Sequence, residues 1–195
     1  MGTGNREQGT GNKNPAPCSL FLGSWFLGSL PYNRVMPADL LADDIPVAHT
    51  PEGGWKGEMP PPVLAGCTEP LAPGAPDLRG AWQAIEVKGD GQPLPEYPLN
   101  RHVERIEQCG NRVVVTSEGV IHDMRADGTL ENGVNDVAAA KGEKIRVAAV
   151  FCNGRLELHP LGVDASRGPL VTREIVDGRL VWNYGPFRVT MVRVE

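Results

Sequence analysis

Three of the four histidines, His102, His122 and His159, fall in β-rich runs of the chain. Imidazole is the side chain best suited to hold a metal or to move a proton near neutral pH. Metal ligation is not expected, because zinc ligands must converge within about 2.1 Å of one ion and these three runs are not neighbours in strand order. No cofactor is therefore expected, with haem as the alternative. His122 alternates with Val120 and Met124 against Asp123 and Arg125, so its ring is expected to point inward as a hydrogen-bonding group. His102 and His159 fit an outward orientation equally well. Glu104, Glu107 and Glu157 stand among basic residues and read as cross-strand surface pairs. Cys18, Cys67, Cys109 and Cys152 show no metal spacing. Free thiols in a reducing cytoplasm are expected, with a Cys109–Cys152 disulfide as the alternative. No G-x-S-x-G, H-E-x-x-H, C-x-x-C, Walker A or dinucleotide-binding loop is present in the sequence.

The elements that must position these groups are short strands. From Asp77 onward, β-rich runs recur near 80–87, 101–108, 112–117, 120–126, 129–134, 143–151, 155–159, 170–176, 179–184 and 187–194. Cys109-Gly110-Asn111, Asp127-Gly128, Asn153-Gly154 and Asp177-Gly178 separate them as tight-turn signals. No segment carries a sustained helical period. The pattern predicts an all-β fold, an antiparallel up-and-down β-barrel of about 8–10 strands, since closure removes exposed edges. In such a meander the four tight turns share one end. The longer links, at 88–100, 135–142 and 160–168, ring the other end.

The front of the chain is different. Of 24 glycines and 18 prolines, 11 and 12 fall within residues 1–76. This division predicts a Pro/Gly-rich N-terminal extension over 1–76, disordered at first and then extended along the barrel, followed by the barrel at 77–195. An apolar stretch at 18–30 loosely matches a secretory signal, and Leu64-Ala65-Gly66-Cys67 matches a lipobox without the apolar run that should precede it. Cytoplasmic localisation is expected, with secretion or lipid anchoring as alternatives. A net charge of −5 without a basic cluster argues against nucleic acid. No apolar run is long enough for a transmembrane helix.

Gly80-Ala81-Trp82 at the start of the first strand and Arg193 in the last resemble the calycins, the superfamily of lipocalins and fatty-acid-binding proteins. The Val171–Val181 segment is similar to the penultimate hairpin of the fatty-acid-binding branch, and 88–100 looks more like the wide first loop of lipocalins. The resemblance implies that Arg193 packs across Trp82 to close the barrel floor beside Gly80. It also implies an interior ligand.

Alternation supplies a candidate lining: His122, Met124, Val147, Ala149, Phe151, Trp182, Tyr184, Val189 and Met191, with Tyr97 at the mouth. Arg173 shares a face with Val171 and Ile175 and could meet a ligand carboxylate, though Leu170 and Thr172 make the opposite face a rival. The expected function is binding of a small hydrophobic molecule, fatty-acid-like or otherwise apolar with a polar head. A filled barrel that binds a protein partner is one alternative. A calycin-scaffold isomerase or lyase using His122 or Tyr184 is another.

Overall fold

The computed structural model describes residues 40–138, 144–160 and 168–194. Expectations for residues 1–14 and 18–30 lie outside these. Among the described residues eleven strands occur: β1 Gly80–Gly89, β2 Gln92–Pro93, β3 Val103–Cys109, β4 Arg112–Ser117, β5 Val120–Arg125, β6 Val134–Ala138, β7 Lys144–Cys152, β8 Arg155–Pro160, β9 Val171–Val176, β10 Arg179–Tyr184 and β11 Phe187–Val194. All pairings are antiparallel, in the order β5-β4-β3-β1-β11-β10-β9-β8-β7-β6, with β2 folded back on β1. The meander thus curls into a nearly closed barrel. Between β5 and β6 the ladder is interrupted, and an isolated bridge of Asp127 with Val150 draws the two ends of the sheet together.

One strand differs from expectation. The run at 129–134 is mostly loop, and β6 begins only at Val134. Asp127 is the cause: one carboxylate oxygen accepts from the Thr129 backbone N–H (2.9 Å) and hydroxyl (2.8 Å), the other from Asn132 Nδ2 (2.6 Å). This local turn competes with ladder pairing. Gly133 then passes so close to β7 that a Cβ would lie 1.9 Å from the Val147 carbonyl oxygen.

The core fills the tight-turn end. Leu78, Trp82, Ile106, Val113, Leu180 and Met191 are buried there in one cluster. Strand registry sets Trp82 opposite Arg193, and the guanidinium carbon lies 4.8 Å from the indole centroid. The indole N–H donates to the Leu78 carbonyl at 2.8 Å. Gly80 makes room for this packing: its φ is +136°, and a Cβ would stand 2.9 Å from Arg193 Nη1.

Residues 40–76 lie as a strap over the outer face of β3, β4 and β5. Ala42, Leu64, Cys109 and Val114 form a second apolar cluster beneath it. Arg112 fastens the strap. Its guanidinium donates to both carboxylate oxygens of Asp123 (2.9 and 2.7 Å) and to the carbonyls of Ala42, Ile45 and Pro46 (2.6, 2.6 and 2.8 Å). All five N–H groups are thereby used, which is how a buried guanidinium is tolerated. Cys67 is joined to Cys109 by a disulfide with a Cα separation of 6.2 Å, and Cys152 is disulfide-bonded too. The expectation of free thiols is corrected. Cysteine spacing did not reveal that the strap lays Cys67 over the end of β3.

Candidate functional site: a cavity at the loop end of the barrel

A cavity of about 410 Å³ occupies the loop end of the barrel, above the packed floor. Its mouth is set by the link between β2 and β3, where Tyr97 stacks on Phe187 with ring centroids 4.9 Å apart. Asn100 holds this link by donating from Nδ2 to the carbonyls of Leu94 (2.5 Å) and Tyr97 (3.0 Å). Strand registry determines the walls. Val115 pairs with His122, and Trp182 pairs with Arg173 on one side and Val189 on the other, so alternate residues of β4, β5, β9 and β10 face inward. Much of the wall is apolar, including Val115, Val137, Leu158 and Val171.

A charged network borders one side. Arg173 donates from Nε to Glu104 Oε1 at 2.9 Å and from Nη2 to Glu104 Oε2 at 2.8 Å. His102 stands between two carboxylates, its Nε2 3.3 Å from Glu104 and its Nδ1 2.8 Å from Glu118. Glu104 is fully buried. Burial alone would raise its pKa, but Arg173 and His102 together lower it to about 2. Burial likewise opposes the charge on His102, yet the two carboxylates outweigh it and its pKa is raised. Trp182 lies against both groups, 4.8 Å from the tilted His102 ring and 5.1 Å from the Arg173 guanidinium carbon. The cation–π contact of Arg173 is worth roughly 0.5–2 kcal/mol.

Two polar atoms on the wall have no hydrogen-bond partner: Trp182 Nε1 and His122 Nε2. His122 Nε2 is 3.1 Å from Asp136 Oδ1 across the β5–β6 interruption, without the alignment of a hydrogen bond. Burial is the main influence on His122 and lowers its pKa, against the opposing pull of Asp136. The imidazole is therefore neutral at pH 7. The same residue borders a cleft of about 380 Å³ outside the barrel, under strap residues Val47–Thr50.

Of the residues expected from sequence, Tyr97, His122, Arg173, Trp182 and Tyr184 line the cavity. Met124, Val147, Ala149, Val189 and Met191 belong to the packed core, with Phe151 against it. The alternation placed all of these inward, but it carries no information on how far along the barrel the filling extends. Arg173 does not present a free guanidinium, since Glu104 holds it. Reading Glu104 as a surface pair is corrected: it shares the inward face with Ile106. His102 lines the cavity, whereas His159 lies on the opposite face of β8 from Leu158 and pairs with Glu157 at 2.8 Å. Among the described residues, the group with metal-like spacing is Cys67, Glu69 and Cys109, whose two sulfurs are bonded to each other.

No helix among the described residues is long and apolar enough to cross a membrane. No family model and no curated protein matches the sequence. Among solved structures, human cRBP IV is similar at 16% identity and a TM-score of 0.44, over 60% of this chain and 98% of that one. The barrel itself is an antiparallel meander with Arg193 packed on Trp82 at its floor.

Proposed function

We propose that the protein binds a small, mainly apolar molecule inside the barrel, with one polar group of that molecule directed at the Trp182–His122 wall. One observation carries this reading. A cavity of about 410 Å³, apolar over much of its wall, keeps the Trp182 indole N–H without a hydrogen-bond partner. A buried N–H without an acceptor costs roughly 1–3 kcal/mol, and a ligand oxygen would remove that cost. The volume falls within the roughly 300–1,000 Å³ typical of small-molecule sites. Apolar walls then supply affinity at about 25 cal/mol per Å² buried, and the few polar groups supply orientation.

The cysteines bear on where binding takes place. A Cys67–Cys109 disulfide suits an oxidising compartment better than the reducing cytoplasm. Native mass spectrometry of freshly purified protein tests the main reading. A small-molecule adduct that survives gentle ionisation and leaves on denaturation is expected. Purely apo protein that also fails to take up any apolar probe would refute it.

A further inference from the structure

The charges around the cavity say which kind of polar group it takes. Two carboxylates, Glu104 and Glu118, meet Arg173 and His102, and each of these two is already in contact with a carboxylate. Both Arg173–Glu104 bonds are short and lie in the interior, where an unpaired charge costs several kcal/mol. A ligand carboxylate that took Arg173 would leave the fully buried Glu104 with only His102, at 3.3 Å. One that left the pair intact would bring a third anion beside Glu104 and Glu118. The remaining wall groups are uncharged. Trp182 Nε1–H is a donor only, and burial keeps His122 neutral. Neutral donors such as these satisfy an oxygen acceptor but do not supply the counter-charge that a buried ion needs.

We infer that the cavity selects an uncharged apolar ligand bearing an oxygen acceptor, an alcohol or a carbonyl compound, and discriminates against the carboxylate of the same chain length. This rests on the reading of the cavity as a ligand site. Glu104 is then a specificity-determining residue: by occupying Arg173 it removes the counter-ion that a fatty carboxylate would use. No bond is made or broken. The selection is by desolvation and hydrogen bonding alone.

The test compares dodecanol, methyl dodecanoate and dodecanoate in displacing a neutral apolar fluorophore from the wild-type protein at pH 7.5. The alcohol and the ester are expected to bind about tenfold or more tightly than the carboxylate, a difference of about 1.4 kcal/mol. Glu104→Gln frees Arg173, and in the folded variant the carboxylate should gain about tenfold or more while the ester changes little. Carboxylate binding equal to or tighter than the alcohol in the wild type overturns this inference and leaves the ligand-site reading standing. Failure of all three compounds to bind saturably overturns both. The wild-type comparison decides the matter even where the variant does not fold.

Discussion

Arg173 and Glu104, 69 residues apart in sequence, meet inside the barrel through two nearly parallel N–H···O bonds of 2.9 and 2.8 Å. Three strands, β1, β11 and β10, lie between theirs in the sheet, so the pair forms a chord across the interior rather than a rung of the ladder. Breaking a buried pair from one side leaves an uncompensated charge and costs roughly 3–5 kcal/mol, whereas replacing both partners by apolar groups is often neutral. Glu104→Ala is expected to lose stability in that range in urea unfolding. The double variant Glu104→Leu/Arg173→Met is expected to recover most of it.

The same pair shapes the acid limb of the stability curve. Glu104 titrates near 2 in the folded chain against an ordinary value of 4.5, because Arg173 and His102 overcome the effect of burial. A depressed carboxyl pKa contributes stability that is complete above the unfolded value and lost as pH falls towards the folded one. Roughly 3 kcal/mol should disappear between about pH 4.5 and pH 2. His102 acts in the opposite sense, since its raised pKa adds stability below about pH 6.5 that is lost as pH rises through the folded value. Denaturant melts across this range should show a shallower acid limb in Glu104→Gln than in the wild type.

How far the chain could be read in advance follows from how its faces are composed. Trp82 and Arg193 could be placed together because a meander brings the start of its first strand to the end of its last, and the turn residues give the strand order. His122 could be turned inward because both charged residues of β5, Asp123 and Arg125, lie on the opposite face. Glu104 could not, because β3 carries polar side chains on both faces: Glu104 and Gln108 on one, Arg105 and Glu107 on the other. Alternation identifies a face only where polarity follows it. A strap was expected from the prolines, but its fastening was not legible, since Arg112 holds it through three backbone carbonyls, which leave no side-chain signal.

Gly80 should be intolerant of a side chain. Its φ of +136° disfavours any other residue, and a Cβ would collide with Arg193 Nη1. Gly80→Ala is expected to cost roughly 1–3 kcal/mol. Removing the guanidinium in Gly80→Ala/Arg193→Ala should relieve the collision but not the backbone strain. A double-mutant cycle by chemical unfolding measures the coupling directly.

The disulfide should matter for stability but not for the cavity. Cys67 and Cys109 close a loop with a sequence separation of 42, on the outer wall. Chain-entropy arguments assign such a closure up to about 4 kcal/mol. Cys67→Ala/Cys109→Ala is expected to lower the unfolding midpoint and to speed proteolysis between residues 46 and 76. Affinity for an apolar probe should stay within about twofold, because no cavity wall is changed.

The central claim is that the loop end of the barrel is a hollow ligand site. Titration of a neutral apolar fluorophore against the wild type and against Val115→Phe, which fills the cavity from β4, tests it most directly. Overpacking of this kind costs about 1–3 kcal/mol, so circular dichroism should still report a folded barrel. Saturable binding of one probe per chain in the wild type, lost or greatly weakened in folded Val115→Phe, is the predicted result. Binding that never saturates, or that is unchanged when the cavity is filled, would contradict the account.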